Sequence, residues 1–242
     1  MENDITVSYV VGDKLIERTQ PSSFAARAMS EEIVAVRKPA FYKDQSSLPG
    51  YFWMSKMGTL VMYESRLEMI VLLQLDFHPH VVSVVSQPCI IHYQSDSKKL
   101  RHTPDFFVLY DNDVGELVNV KPKKFIGTEK NLRSFGVCEK ASEAMGFACS
   151  VRTEIEPVFL NNLRWLGGYR RLPPHTEIYW DFLITCASEE MTIGEITIRA
   201  ETAALMKPVL FHMIWKGLVW VDLYARLSRD SIVSLGGIDS HV

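Results

Sequence analysis

His102-Thr-Pro-Asp-Phe-Phe-Val-Leu-Tyr110, Asp111-Asn-Asp-Val-Gly115 and Glu116-Leu-Val-Asn-Val-Lys121 follow one another without a break. Two apolar runs around an Asp/Asn/Gly loop predict a β-hairpin. With Tyr110 set opposite Glu116, Asp105 falls opposite Lys121. Asn119 and Lys121 are two apart on one strand and so point to the same face. An aspartate at the start of one strand, with an amide and an ammonium near the end of the other, then converge on one spot.

These residue types suit phosphodiester chemistry. Pro104-Asp105, thirteen residues, then Asn119-Val120-Lys121 follows the P-D…(D/E)-x-K spacing of metal-dependent nucleases, with Asn119 in the usual acidic place. An Asp before a strand is also a common turn residue and a Lys at a strand end is commonly solvated, so the fragment needs support. One carboxylate binds Mg²⁺ poorly, and Glu68 is the expected second. It lies on a predicted helix from Glu64 to Phe77, in a setting (Leu67-Glu-Met-Ile-Val-Leu-Leu73) too apolar for a casual surface acid. Glu64 is expected one turn earlier on the same face. Glu68, Asp105 and the Asn119 carbonyl would hold one or two Mg²⁺ ions, for which Mn²⁺ could substitute. Lys121 would orient the water and meet negative charge developing on the phosphoryl oxygens.

Working outward, strands are predicted at Tyr51–Met54, Leu60–Tyr63, Val81–Val85, Cys89–Tyr93 and Phe147–Val151, with helices at Thr128–Met145 and Pro157–Trp165. That mixture is α/β in class. Leu166-Gly-Gly-Tyr-Arg-Arg-Leu-Pro-Pro174 punctuates the chain and divides it into domains at 1–170 and 171–242. Beyond it, helices at Thr176–Cys186, Thr192–Arg199 (opened by a Thr192/Glu195 capping box) and Glu201–Lys216, stopped by Gly217, precede strands at Leu218–Leu223 and Asp230–Leu235. Three helices followed by a hairpin is the order of an α+β winged helix. Its third helix offers only Lys207 and Lys216 as cations, so docking to a protein is as reasonable as base reading.

At 47% hydrophobic and 23% charged, the 242 residues exclude a disordered or fibrous chain. No apolar run is long enough to span a bilayer. The acidic N-terminus does not read as a signal peptide, so a cytoplasmic protein is expected. Net charge is −3, yet up to Arg171 there are 21 Lys and Arg against 20 Asp and Glu, and beyond it 5 against 9. The acidic surplus therefore belongs to the last third. Lys121, Lys123, Lys124, Lys130 and Arg133 form a local basic strip able to meet phosphate. The four cysteines, Cys89, Cys138, Cys149 and Cys186, are far apart and read as buried free thiols. His78 and His80 around Pro79 read as a helix-to-strand connector.

Taken in order, Tyr63-Glu-Ser-Arg-Leu-Glu68, Ser86-Gln-Pro88, His102-Thr-Pro-Asp-Phe-Phe-Val108, Val118-Asn-Val-Lys-Pro122, Val151-Arg-Thr-Glu154 and Asn162-Leu-Arg164 resemble the TnsA endonuclease subunit of heteromeric cut-and-paste transposases. The resemblance is weakest over the first ~45 residues. It implies a restriction-endonuclease-like catalytic domain, followed by the winged helix, that nicks the 5′ strands at transposon ends. It also implies DNA as substrate, a DDE transposase subunit (TnsB-like) that cuts and joins the 3′ ends, and an AAA+ ATPase regulator (TnsC-like) that engages the C-terminal region. The family's catalytic Glu, Asp and Lys fall on Glu68, Asp105 and Lys121. Its amide, commonly Gln, is the shorter Asn119. A stand-alone restriction or repair nuclease and a non-catalytic winged-helix DNA-binding protein are the alternatives.

Overall fold

The computed structural model describes residues 5–30, 33–37, 48–95 and 98–236. The chain divides into two compact units, Met1–Leu72 with His80–Glu154, and Leu73–Pro79 with Ile155–Val242.

The first unit opens with β1 (Thr6–Val11) and β2 (Lys14–Thr19), α1 (Pro21–Ser30) and the short β3 (Ile33–Val34). A second hairpin joins β4 (Gly50–Met54) to β5 (Thr59–Tyr63) around the Lys-Met-Gly turn. Then come α2 (Arg66–Phe77), of which the residues up to Leu72 belong to this unit, β6 (Val81–Ser86), β7 (Cys89–Ser95), β8 (Lys98–His102), β9 (Phe106–Tyr110), β10 (Gly115–Val120), α3 (Glu129–Met145) and β11 (Ala148–Arg152). One sheet runs β2-β1-β7-β8 with β3 on β1, and the other β11-β10-β9-β6. Strand β10 pairs antiparallel with β9 and parallel with β11, and all six of its residues are buried. That is the signature of a central strand covered on both faces. Phe24 and Ala28 of α1, with Cys138, Ala141 and Met145 of α3, join Val7, Tyr9, Ile91, Phe107 and Leu117 of the two sheets in one apolar core. Helix α3 ends in a left-handed Gly146 (φ 72°) whose N–H returns to Glu143 and Ser142, while Phe147 N–H returns to Ser142. Only glycine adopts that turn without steric penalty. The whole unit is mixed α/β, compatible with a restriction-endonuclease-like domain.

The second unit contains α4 (Pro157–Leu166), α5 (Thr176–Ser188), α6 (Ile193–Arg199), α7 (Ala203–Trp215), β12 (Val219–Val221) and β13 (Val233–Leu235). The Thr192/Glu195 capping box is present, with Thr192 N–H on Glu195 and Glu195 N–H on Thr192. Hydrophobic α7 is buried through Met206, Val209, Leu210, Phe211, Met213, Ile214 and Trp215. The expected break at 170/171 falls instead after Glu154. Helix α4 explains the difference. Trp165 meets Phe211 edge-on at 4.2 Å, and buried Asn162 donates to Leu223 O (2.8 Å) and Ala225 O (2.7 Å). The Gly-Gly-Tyr punctuation is thus a 3-10 turn within a unit. The closing strands are three residues each, shorter than expected. No helix among the described residues is long and apolar enough to cross a membrane.

The N-terminal strands and α1 are missing from the expected elements, as is β8. Val10-Val-Gly-Asp-Lys-Leu15 carried a signal: Gly12 (φ 55°) and Asp13 form a two-residue turn that pairs Val11 with Lys14. Strand β8, Lys98-Lys-Leu-Arg-His102, is too cationic for an apolar-run reading and exists through its pairing with β7.

Candidate active site

The hairpin register differs by two residues from the expected one. Phe106 faces Val118 and Leu109 faces Gly115, which sets Asp105 opposite Asn119 instead of Lys121. The cause is the loop. Tyr110 N–H donates to Val114 O at 3.0 Å, and a three-residue turn closes through Asp113 in the left-handed region (φ 60°), with Asn112 Oδ1 accepting from Val114 N–H. A slip of two preserves the alternation of faces, so the convergence survives. Asp105 N–H donates to Val118 O (3.0 Å), and its Oδ2 accepts from Val120 N–H at 2.6 Å. The carboxylate is thereby folded onto β10 between Asn119 and Lys121. Lys121 N–H in turn donates to Arg152 O at 3.0 Å, holding the end of β10 against β11.

Glu68 arrives from the first turn of α2. Ser65 accepts the Glu68 N–H at 3.1 Å, while Glu68 Oε1 accepts from Ser65 Oγ (2.9 Å) and Oε2 from Glu64 N–H (2.7 Å). This is a variant of the S-x-x-E helix start in which the glutamate reaches the Ser65 hydroxyl and the N–H of Glu64 before it. Ser65-Arg-Leu-Glu68 therefore fixes the carboxylate as well as capping the helix. Glu64 does not share a helix face with Glu68, because α2 begins only at Arg66. Its carboxylate pairs with Arg37 Nη2 at 2.8 Å.

Electrostatics tie these side chains into one group. Burial, then the charge of Asp105, pushes Glu68 up from 4.5 to about 7. Asp105 is also raised, by burial, against the opposing influence of the Lys121 ammonium and the Val120 N–H. Two half-buried acids in one electrostatic neighbourhood, each held toward the neutral form first by desolvation, mark a candidate site for a cation. Among the described residues, no group of three or more His, Cys, Asp or Glu side chains is arranged to hold a metal. Two carboxylates nevertheless fit Mg²⁺, which keeps several of its waters and needs few protein ligands.

Asn119, 1% exposed, makes different contacts from those expected of a ligand. His102 Nε2 lies 2.7 Å from its Oδ1, and its Nδ2 points toward Cys149 Sγ at 4.0 Å. The carbonyl oxygen expected to meet metal is thus engaged by an imidazole that burial keeps toward its neutral form. Cys149 and the buried Cys138 form a hydrogen-bonded thiol pair, and that contact raises Cys138. All four cysteines are free. His80 Nδ1 binds Asp111 Oδ2 at 2.9 Å in the connector after α2.

Three site neighbours escaped the sequence reading: Arg37, Gln87 and His102. Gln87 is 3% exposed and adopts φ 45° although it precedes a proline, a conformation that costs about 1–3 kcal/mol. Its N–H donates to Asp105 O (2.8 Å), its carbonyl accepts from Val36 N–H (3.0 Å), and its Oε1 accepts from Arg37 Nε (2.7 Å). No periodicity announces such a residue. Glu154, by contrast, is an exposed cap that accepts from Lys123 N–H at 2.8 Å.

No curated protein matches the chain. Residues 78–154, which carry His102, Asp105, Asn119 and Lys121, match the TnsA-like endonuclease N terminal family; Glu68 and Arg37 lie outside the matched segment.

Proposed function

We propose that this chain is the Mg²⁺-dependent DNA endonuclease subunit of a heteromeric transposase, cutting the 5′ strands at transposon ends to excise the element. The observation that carries the reading is the pairing of two half-buried carboxylates, Glu68 and Asp105, which come from separate elements and feel each other's charge, with Lys121 acting on Asp105. Glu68 and Asp105 would hold the metal, which when bound supplies Lewis-acid stabilisation of charge on the phosphoryl oxygens. Mn²⁺ would serve in its place. The Ser65 and Val120 donors fix the two carboxylates before substrate arrives, so little reorganisation is needed. Lys121 donates to the developing phosphoryl charge and orients the attacking water. Asn119, whose Oδ1 meets His102, is assigned to the water network around the metal instead of to direct ligation.

The order α5, α6, α7 and the β12–β13 hairpin supports a winged-helix reading of the second unit. Its acidic surplus favours protein docking over independent DNA reading, with a TnsC-like AAA+ regulator and a TnsB-like DDE transposase as partners. The test is nicking of a labelled transposon end with Mg²⁺ and the partner subunits. Wild type should cut the 5′ strand and Asp105→Ala should not, and equal cutting by the two would refute the assignment. Cutting by wild type without partners would instead favour a stand-alone nuclease.

A further inference from the structure

We propose that Arg37 is a substrate-binding residue of this site, its guanidinium aimed by Gln87 to grip a DNA phosphate beside the Glu68 and Asp105 carboxylates. The assignment rests on the nuclease reading and deepens it by naming how the strand is held. Arg37 Nε donates to Gln87 Oε1 at 2.7 Å and Nη2 to Glu64 Oε2 at 2.8 Å. A guanidinium carries five N–H donors in a rigid plane, so these two bonds fix that plane and leave Nη1 and the second Nη2 hydrogen for a ligand. The side chain is 57% exposed, so the remaining donors are open to an incoming strand.

Neutralising Glu64 is too small a task to account for this construction. An ion pair between an Arg 57% exposed and a Glu 31% exposed contributes little, and it needs no third residue to aim it. Yet Gln87 is buried, holds a left-handed backbone, and is tied to Asp105 through its own N–H. One residue thus sets the position of the metal-side acid and the direction of the arginine together. The charge of Arg37 is also felt at Asp105, which places it in the same electrostatic neighbourhood. A phosphodiester approaching Glu64, Glu68 and Asp105 meets like charge. A cation that stays protonated, with a fork matched to two phosphate oxygens, offsets that repulsion.

The experiment is fluorescence anisotropy of the full chain with a short labelled DNA duplex in EDTA, over a series of KCl concentrations. Removing one phosphate contact lowers the slope of log affinity against log salt by about 0.9. Arg37→Gln should therefore show a slope shallower by about that amount and affinity about fivefold weaker at low salt, while Arg37→Lys keeps the slope. Were Arg37 only the counter-ion of Glu64, the double variant Arg37→Gln/Glu64→Gln would recover wild-type affinity and slope, and the proposal would fall. It would fall equally if wild type bound the duplex without salt dependence. Asp105→Ala is assayed in parallel for strand nicking with Mg²⁺ and partner subunits. An unchanged slope in Arg37→Gln, with Asp105→Ala still unable to nick, overturns the role of Arg37 alone. Nicking by Asp105→Ala overturns the nuclease reading itself.

Discussion

The two ends of the β9–β10 hairpin bury acids in opposite ways. At the turn end, Glu116 is 6% exposed and its Oε2 accepts from Tyr110 Oη at 2.5 Å and from Arg152 Nη2 at 3.3 Å. Burial and this contact with Glu116 push the Tyr110 hydroxyl well up, which keeps it a donor. At the open end, Asp105 and Glu68 are half-buried in one electrostatic neighbourhood, and desolvation pushes both toward the neutral form. The strands and the residue chemistry are alike, and Glu116 is the more deeply buried acid. The difference is that the turn end holds its own cation and the open end is short of one. A buried acid with its counter-charge belongs to the fold, whereas a buried pair without enough of it is poised for a ligand.

The largest expected effect breaks the open end. Asp105→Ala should lower 5′-strand nicking by about a thousandfold or more, because the metal and the developing charge lose a fixed oxygen ligand. Its melting temperature in EDTA should stay close to wild type, since relief of the repulsion with Glu68 offsets the loss of the acceptor for Val120 N–H. The matching change at the turn end should do the reverse. Glu116→Ala leaves Arg152 and the Tyr110 hydroxyl without their acceptor, and urea unfolding should show a loss of about 2–3 kcal/mol. Nicking per folded molecule should stay at the wild-type rate. A Glu116→Ala protein that is stable but inactive would dissolve the contrast between the two ends.

A third change tests the spacing between them. A Cβ on Gly115 would lie 2.7 Å from Phe147 Cδ1 and 2.9 Å from Phe107 Cε2, ring atoms packed against each other in the core. Gly115→Ala should lower stability by about 2 kcal/mol through this overpacking. Asp105 lies at the far end of β9, so nicking by the folded fraction should change little. Loss of nicking out of proportion to the loss of folded protein would mean that strain at the turn end travels down the ladder to the site.

How much of this was legible in the sequence follows from which forces are local. Two apolar runs around the Asp-Asn-Asp loop made the hairpin readable, and Thr192-Ile-Gly-Glu195 announced its capping box. The register of the hairpin was not, because it turns on Asp113 adopting φ 60°, a choice that Asp, Asn and Gly all permit. Glu68 stood out through its apolar neighbours, and the structure adds that Ser65 fixes it. Arg37 was invisible and Gln87, quoted in Ser86-Gln-Pro88, was given no role, because the two are fifty residues apart and joined by a single side-chain bond of 2.7 Å. His102 was quoted in the family-like stretch, yet its partnership with Asn119 depends on β8 pairing with β7, and β8 has no apolar signature. The domain break was misplaced because glycine and proline mark turns in general, and only the packing of α4 on α7 shows which turn lies inside a unit.

The smallest expected effect sharpens the comparison most directly, because it reads the charge deficit itself. Glu68 holds its proton up to about pH 7 in the folded chain, against an ordinary value of 4.5. Between those two values the folded chain binds a proton that the unfolded chain has released. This contribution to stability is complete below pH 4.5 and is lost as pH rises through 7. Wild type in EDTA should therefore melt lower at pH 8 than at pH 5, with Glu68 accounting for about 1 kcal/mol once its partial exposure is allowed for. Glu68→Gln keeps one acceptor for the Glu64 N–H, with its amide NH2 turned to the Ser65 hydroxyl oxygen, and carries no titrating group, so its melting temperature should fall less over the same range. Asp105 still titrates in that variant, and part of the slope should remain. Adding Mg²⁺ at pH 8 should raise the melting temperature of wild type, by mass action on the folded state, and raise that of Glu68→Gln much less. Equal slopes and equal Mg²⁺ responses in the two proteins would mean that the open end is as well compensated as the turn end.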